Sequence, residues 1–327
     1  MTYPNITDYR TALRNAPVRF ATLEVNPVLD VNDDPVFKAG NFAAVFKASV
    51  SGVKTEVALK FFIRDLPNLE DRHHALAQVI EQTEARYLID VGFLPGEIFV
   101  TSSIASSGEY PVVMMPWIDG ENLGAVVNRF CAKGQRKGLA ALTRAWANLC
   151  LDMLSKGIAH GDLKHDNVLV TPDGQLRLID YDSMFVPSLK GSRSVLLGGA
   201  SYQHPRRDIQ HFDGNLDHFS ILVIVLSLRA LTLNPELHEI FHAGENIIFS
   251  SDDFTAVAQS GLIGRLRESP DALVRNWTNL LVKVSQSSSI TVPRLGRVLQ
   301  QARKATEDPM EGGRAFSFPF SKGQTAA

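Results

Sequence analysis

Cysteine and net charge are both scarce in this 327-residue chain: cysteine stands only at 131 and 150, and 33 Lys and Arg face 35 Asp and Glu for a formal charge of −2. Two cysteines cannot lay down a disulfide framework; they read as buried thiols in a reducing compartment. The charge balance excludes a sequence-wide field for nucleic acid or an anionic membrane, so any polyanion is held locally. The start, MTYPNITDYR, has neither the basic nor the apolar block of a signal peptide, and a cytoplasmic protein is expected. The apolar run from Phe219 through Leu226 to Leu231 carries Arg229 and falls short of the roughly 20 residues a bilayer span needs. It reads as a helix buried on every side, with its β-branched residues leaving a strand as the alternative. No internal repeat is found.

A 45% hydrophobic content is enough for a sizeable core. Residues 1–34 read as a polar extension, with LDVNDDP as a lead-in to the first compact element. From 35 to 116 the pattern is mostly β: strands at Val36-Phe37, Ala43 to Ser49 and Glu56 to Ile63, a helix from Leu69 to Thr83, then strands at Tyr87 to Phe93, Glu97 to Val100 and Val112 to Pro116. From 117 to 305 it is mostly helical. A helix over Ala140 to Leu154 stops at Gly157, a C-cap residue, and helices recur from Asp217. The tail, 306–327, is rich in Gly, Ser and Pro and is expected to be disordered. A β-rich first part and a helical remainder give an α+β, bilobal architecture, with a nucleotide expected in a cleft between lobes.

The chemistry concentrates in HGDLKHDNVLV, residues 160–170. After a helix that ends at Gly157, this stretch is a loop leading into a short hairpin, Val168 to Val170 and Leu176 to Ile179, which ends in Asp180. Asp162, Asn167 and Asp180 thus bracket one small β unit. Phosphoryl transfer asks for that set: hard oxygen ligands for Mg2+, from Asn167 and Asp180, and a carboxylate, Asp162, to accept the proton of the attacking hydroxyl. Lys164 would stabilise the moving phosphoryl group. The bland alternative is that the three are turn and cap residues.

HGDLKHDN resembles the catalytic loop HRDLKxxN of the eukaryotic-like (Hanks-type) Ser/Thr protein kinase family, in particular a divergent bacterial group with HGD in that loop. Asp180-Tyr181-Asp182 is similar to DFG, Val57-Ala58-Leu59-Lys60 to VAIK, and KAGNFAAV to the glycine loop with Gly40 alone kept, Phe42 at its tip and Val45 over the base. Tyr202 and Pro205 stand where kinases end the activation segment, and Asp217 to Ser220 where their central buried helix begins. The resemblance, over about 36 to 300, implies a small β-rich N-lobe and a larger helical C-lobe. It implies Asp162 and Lys164 as catalytic, Asn167 and Asp180 as metal ligands, and Gly40, Val45, Ala58 and Lys60 as ATP-binding. Met114 would line the back of the adenine site, Met115 to Trp117 would offer backbone groups to adenine, and Glu121 would reach the ribose. ATP and Mg2+ are the implied cofactors. A protein substrate is the implied partner, with a von Willebrand factor A domain protein and a type-2C protein phosphatase as signalling partners.

The chain also departs from the family pattern. Gly161 replaces the arginine that grips an activation-segment phosphate, which implies a constitutively poised site; Asp182 replaces the glycine of DFG and Arg206 the glutamate after Pro205. The helix position that should hold the partner of Lys60 falls on Arg72, with Glu70, Glu81 and Glu84 as the acids nearby. Ser192, Ser194 and Ser201 are expected autophosphorylation sites. The alternatives are a pseudokinase, a small-molecule phosphotransferase of the aminoglycoside-kinase kind, and a zinc protease built on His238-Glu-Ile-Phe-His242. The pair His73-His74 is expected to be solvated.

Overall fold

The computed structural model of the chain describes residues 2–306. Apart from Thr306, the expected disordered tail lies outside them. The chain divides into two compact units, one built from residues 2–84 and Ile89–Ile118, the other from Ala85–Leu88 and the residues from Asp119 onward. The first is β-rich and the second helical, the α+β organisation of a protein-kinase-like fold.

In the first unit, β1 (Val25–Pro27), β2 (Phe37–Ala39), β3 (Ala43–Val50), β4 (Val57–Phe62), β5 (Gly92–Val100) and β6 (Gly108–Pro116) form one antiparallel sheet in the order β1-β3-β4-β6-β5, with β2 also on β3. Every residue of β4 is buried, because both faces of this central strand are covered. One cover is α1 (Ile6–Leu13), started by a capping box in which the Asn5 side chain accepts from Asp8 N and Asp8 from Asn5 N. Tyr9 of this helix is fully buried. Its ring stacks on Phe61 at 5.0 Å, and its hydroxyl donates to the Phe62 carbonyl at 2.8 Å. Packed on β5, α2 (Leu69–Gln82) turns His73, Ala75, Leu76 and Ile80 inward, and the His73 ring meets Phe62 of β4 edge-on. Residues 1–34 therefore contribute a helix and a strand to this unit. Buried Glu97 ties the stretch before β1 to β5 by accepting from Thr22 N, Thr22 Oγ1 and Leu23 N at 2.7–2.9 Å.

The expected strand from Tyr87 to Phe93 is irregular until Gly92, with a turn ending at Tyr87. Tyr87, Leu88 and Ile89 are buried, which explains the strand-like apolar pattern, yet the Tyr87 carbonyl accepts from Leu178 N at 2.8 Å instead of joining the sheet.

The second unit opens with β7 (Glu121–Asn122) and α3 (Leu123–Ala132), whose start is capped by Asn122 accepting from Ala125 N. The long α4 (Arg136–Lys156) ends at Gly157 in the left-handed region, φ 63°, as its sequence predicts. The hairpin of β8 (Val168–Val170) and β9 (Leu176–Leu178) joins β7 in a three-stranded antiparallel sheet. The apolar run is a helix, α5 (His218–Leu233), buried from Phe219 through Leu228. Among the described residues no helix is long and apolar enough to cross a membrane. Helices α6 (Glu236–Phe241), α7 (Asp252–Thr255), α8 (Gly261–Arg267), α9 (Ala272–Ser285) and α10 (Leu295–Lys304) follow; α4 and α9 pack on α5, and α10 packs on α4.

Candidate active site

The buried end of the loop before β8 is organised by a carboxylate that lies far along the chain. Asp217, which precedes α5, accepts from the backbone N–H groups of His160 and Gly161. Burial raises its pKa, opposed by those two hydrogen bonds and by the charge of Arg207. The His160 ring donates from Nε2 to the Ile179 carbonyl at 2.8 Å and accepts at Nδ1 from Asp162 N at 3.3 Å, which fixes its tautomer. Gly161 adopts φ 80°, and a Cβ there would lie under 3.0 Å from the Ser183 carbonyl. No arginine fits this position. Its absence is a packing requirement of the loop as well as the loss of a cation.

The next residue is Asp162, whose carboxylate is held from three sides. Oδ1 accepts from Gly199 N at 2.9 Å, Oδ2 accepts from Asn167 Nδ2 at 3.1 Å, and Lys164 Nζ stands 3.7 Å from Oδ2. Such a carboxylate is oriented by fixed dipoles, with a cation beside it. Asn167 also donates from Nδ2 to the Asp162 carbonyl at 2.9 Å, so Oδ1 is the part of its side chain left to accept. Asp180 is exposed and sits at φ 68°, ψ 72°, a left-handed conformation that costs a non-glycine residue about 1 kcal/mol or more. An amide oxygen and an exposed carboxylate are hard donors of the kind Mg2+ takes, one or two from protein with waters completing the shell. Asp182, expected only as a departure, is buried in the turn Tyr181–Ser183.

In the first unit the strand register gathers the predicted nucleotide residues on one sheet face. Val45 pairs with Lys60 and Ala58 with Met115, and residues two apart on a strand share a face, so Val45, Ala58, Lys60 and Met115 lie together. Lys60 is 4% exposed, and its ammonium lies 5.7 Å from the centre of the Phe62 ring on the same face. Gly40 closes the turn before β3 by donating to the Ala43 carbonyl at 2.8 Å.

Three expectations change, and a fourth residue, Glu121, gains a partner. Met114 pairs with Leu59 and so lies on the opposite face; parity gives its expected place to Met115. The Trp117 N–H donates to the Glu56 carbonyl at 2.9 Å and Pro116 has no N–H, so this stretch offers fewer backbone groups to a base than expected. Glu121 forms an ion pair with Arg129 at 2.8 Å. Finally, His73 is buried and only His74 is exposed. His73 lies between Phe62 and Phe93, donates from Nδ1 to the Leu69 carbonyl at 2.8 Å, and feels the charge of Lys60. The buried polar residue of α2 is thus His73, one place after the half-buried Arg72, while Glu70, Glu81 and Glu84 are exposed.

The zinc reading fails on geometry. His242 lies beyond the end of α6, its ring stacks on that of His238 at 4.4 Å, and its Nδ1 is taken by the Asn246 carbonyl at 2.7 Å. Among the described residues no three His, Cys, Asp or Glu side chains converge to hold a metal.

No family model matches the chain. It is similar to three curated kinases. Serine/threonine-protein kinase AGC1-5 of Arabidopsis thaliana is 27% identical over 167 residues, 50% of this chain and 28% of the relative. Serine/threonine-protein kinase ste20 of Aspergillus oryzae is 29% identical over 143 residues, 43% of this chain and 15% of the relative. Serine/threonine-protein kinase chk1 of Schizosaccharomyces pombe is 30% identical over 100 residues, 30% of this chain and 20% of the relative. The matched part is less than a third of the length of each relative. These similarities support a protein-kinase family for the chain.

Proposed function

We propose that the chain is a Ser/Thr protein kinase that transfers the γ-phosphoryl group of Mg-ATP to a hydroxyl of a protein substrate. One observation carries the reading: the Asp162 carboxylate held by Gly199 N and Asn167 Nδ2, with Lys164 Nζ 3.7 Å away. In the reaction the substrate oxygen bonds to the γ-phosphorus, the bond from that phosphorus to the β,γ-bridging oxygen breaks, and ADP leaves. Asp162 orients the hydroxyl and takes its proton, and Lys164 balances charge on the phosphoryl oxygens. Bound Mg2+ supplies neutralisation of the triphosphate, with Asn167 and Asp180 as the protein ligands. Lys60 contacts the α and β phosphates, and the face carrying Val45, Ala58 and Met115 packs on the base.

On this reading the protein works in the cytoplasm, and a von Willebrand factor A domain protein and a type-2C protein phosphatase are its signalling partners. The names of the three similar proteins favour a protein substrate over a small molecule. Incubation with γ-labelled ATP, Mg2+ and a generic protein substrate, followed by phosphoamino-acid analysis, tests it. Label on Ser or Thr that is lost in Lys60→Ala supports the reading. Thermal stabilisation by nucleotide with no label on protein removes it.

A further inference from the structure

Arg207 occupies an unusual place for a cation. It is 8% exposed, and the acceptors bonded to its guanidinium are neutral. Nη1 donates to the Gly161 carbonyl at 2.6 Å and to Gln203 Oε1; Nη2 donates to the Leu196 carbonyl at 3.2 Å and to Ser194 Oγ at 3.4 Å. Burial works against its charge, while the carboxylates of Asp217 and Asp162 favour it.

These bonds join two stretches that meet at the candidate base. Gly161 is clasped through both backbone groups, its N–H by Asp217 and its carbonyl by Arg207, and Asp162 follows it directly. The 194–203 stretch is held at Ser194 Oγ, Leu196 O and Gln203 Oε1, and between them Gly199 N reaches the Asp162 carboxylate. Gly198, at φ 77°, lets the backbone come this close, since a Cβ there would lie under 3.0 Å from Asp162 Oδ1. Ser194 itself is buried and its hydroxyl donates to the Leu196 carbonyl at 2.6 Å, so it does not serve as an autophosphorylation site in this arrangement.

We propose that Arg207 is a positioning residue that braces the 194–203 stretch against Gly161, so that Asp162 is oriented for transfer without any phosphate on that stretch. The proposal rests on the kinase reading and deepens it by specifying its regulation. A planar guanidinium presents five donors in a fixed fork that spans separated acceptors, whereas an ammonium presents three from a single nitrogen. The brace is therefore permanent, where a phosphate-dependent clamp is conditional.

The experiment compares full-length wild type with Arg207→Gln and Arg207→Lys, each treated with a broad-specificity phosphatase and shown by intact mass to be unphosphorylated. Expected are wild-type turnover unchanged by the phosphatase, kcat about 100-fold lower in Arg207→Gln with KM for ATP unchanged, and partial recovery in Arg207→Lys. Amide hydrogen exchange should quicken at 161–163 and 194–203 in Arg207→Gln, with other regions unchanged. Wild type that loses turnover on phosphatase treatment, or Arg207→Gln that keeps the wild-type kcat, overturns the proposal. If wild type transfers no label in any state, the kinase reading fails, and the exchange arm still decides the brace: equal protection in wild type and Arg207→Gln sinks it. Should Arg207→Gln not fold, Gln203→Ala removes one acceptor, and an unchanged kcat there counts against the brace.

Discussion

The ring of His165 lies against Gly124 of α3 so closely that a Cβ at 124 would stand under 3.0 Å from His165 Cδ2. His165 has little room to yield, because its Nδ1 is bonded to the Tyr202 hydroxyl at 2.5 Å and its residue is 4% exposed. Helix α3, the loop carrying Asp162 and the segment before Arg207 therefore meet at one imidazole. Gly124→Ala gains helix propensity worth up to about 1 kcal/mol and meets an overpacking cost of about 1–3 kcal/mol. The expected outcome is a lower melting temperature with loss of phosphoryl transfer, measured by thermal unfolding and the labelled assay on the same preparation. An equal or higher melting temperature with full transfer contradicts this.

Gly161 gives a sharper test of the loop. Any side chain there meets the Ser183 carbonyl and also strains a backbone at φ 80°. Gly161→Ala and Gly161→Arg are both expected to lower kcat by about 100-fold or more, since they displace the adjacent Asp162. A kinase-like HRD sequence restored by Gly161→Arg with full activity would contradict the packing argument.

The buried His73 predicts a pH dependence of stability. Burial, partly opposed by its bond to the Leu69 carbonyl and reinforced by the Lys60 charge, lowers its pKa from 6.5 to about 4. The unfolded state then binds the proton first, so this contribution is complete above about pH 6.5 and is lost as pH falls toward about 4. The loss is on the order of 3 kcal/mol over that window. Denaturant titrations at pH 7.5, 5.5 and 4.5 (working conditions of roughly these values) should show the decline in wild type and a shallower one in His73→Phe. Parallel curves contradict the assignment.

Much of the architecture was legible because periodicity and caps act locally. Gly157 marked the end of α4, the β-rich stretch Ala43 to Ser49 marked β3, and an apolar run with Arg229 marked α5. Order along one loop made Asp162, Lys164 and Asn167 visible as a group. What escaped depends on contacts distant in sequence. Tyr9 is buried through Phe61 and Phe62, which no pattern in residues 1–34 announces. Tyr87 to Ile89 looked like a strand because burial and pairing leave the same apolar trace. Met114 and Met115 differ only in strand parity, which is set by register with Leu59 and Ala58. Arg207 and His73 belong to no local motif; only the fold shows which acceptors and rings surround them.

Single-turnover transfer from γ-labelled Mg-ATP by wild type and Asp162→Asn is the most direct measurement of the central claim. The amide keeps an acceptor for Gly199 N but cannot take a proton, so the rate is expected to fall by about 100-fold or more while nucleotide binding persists. Equal rates in the two proteins would contradict the account.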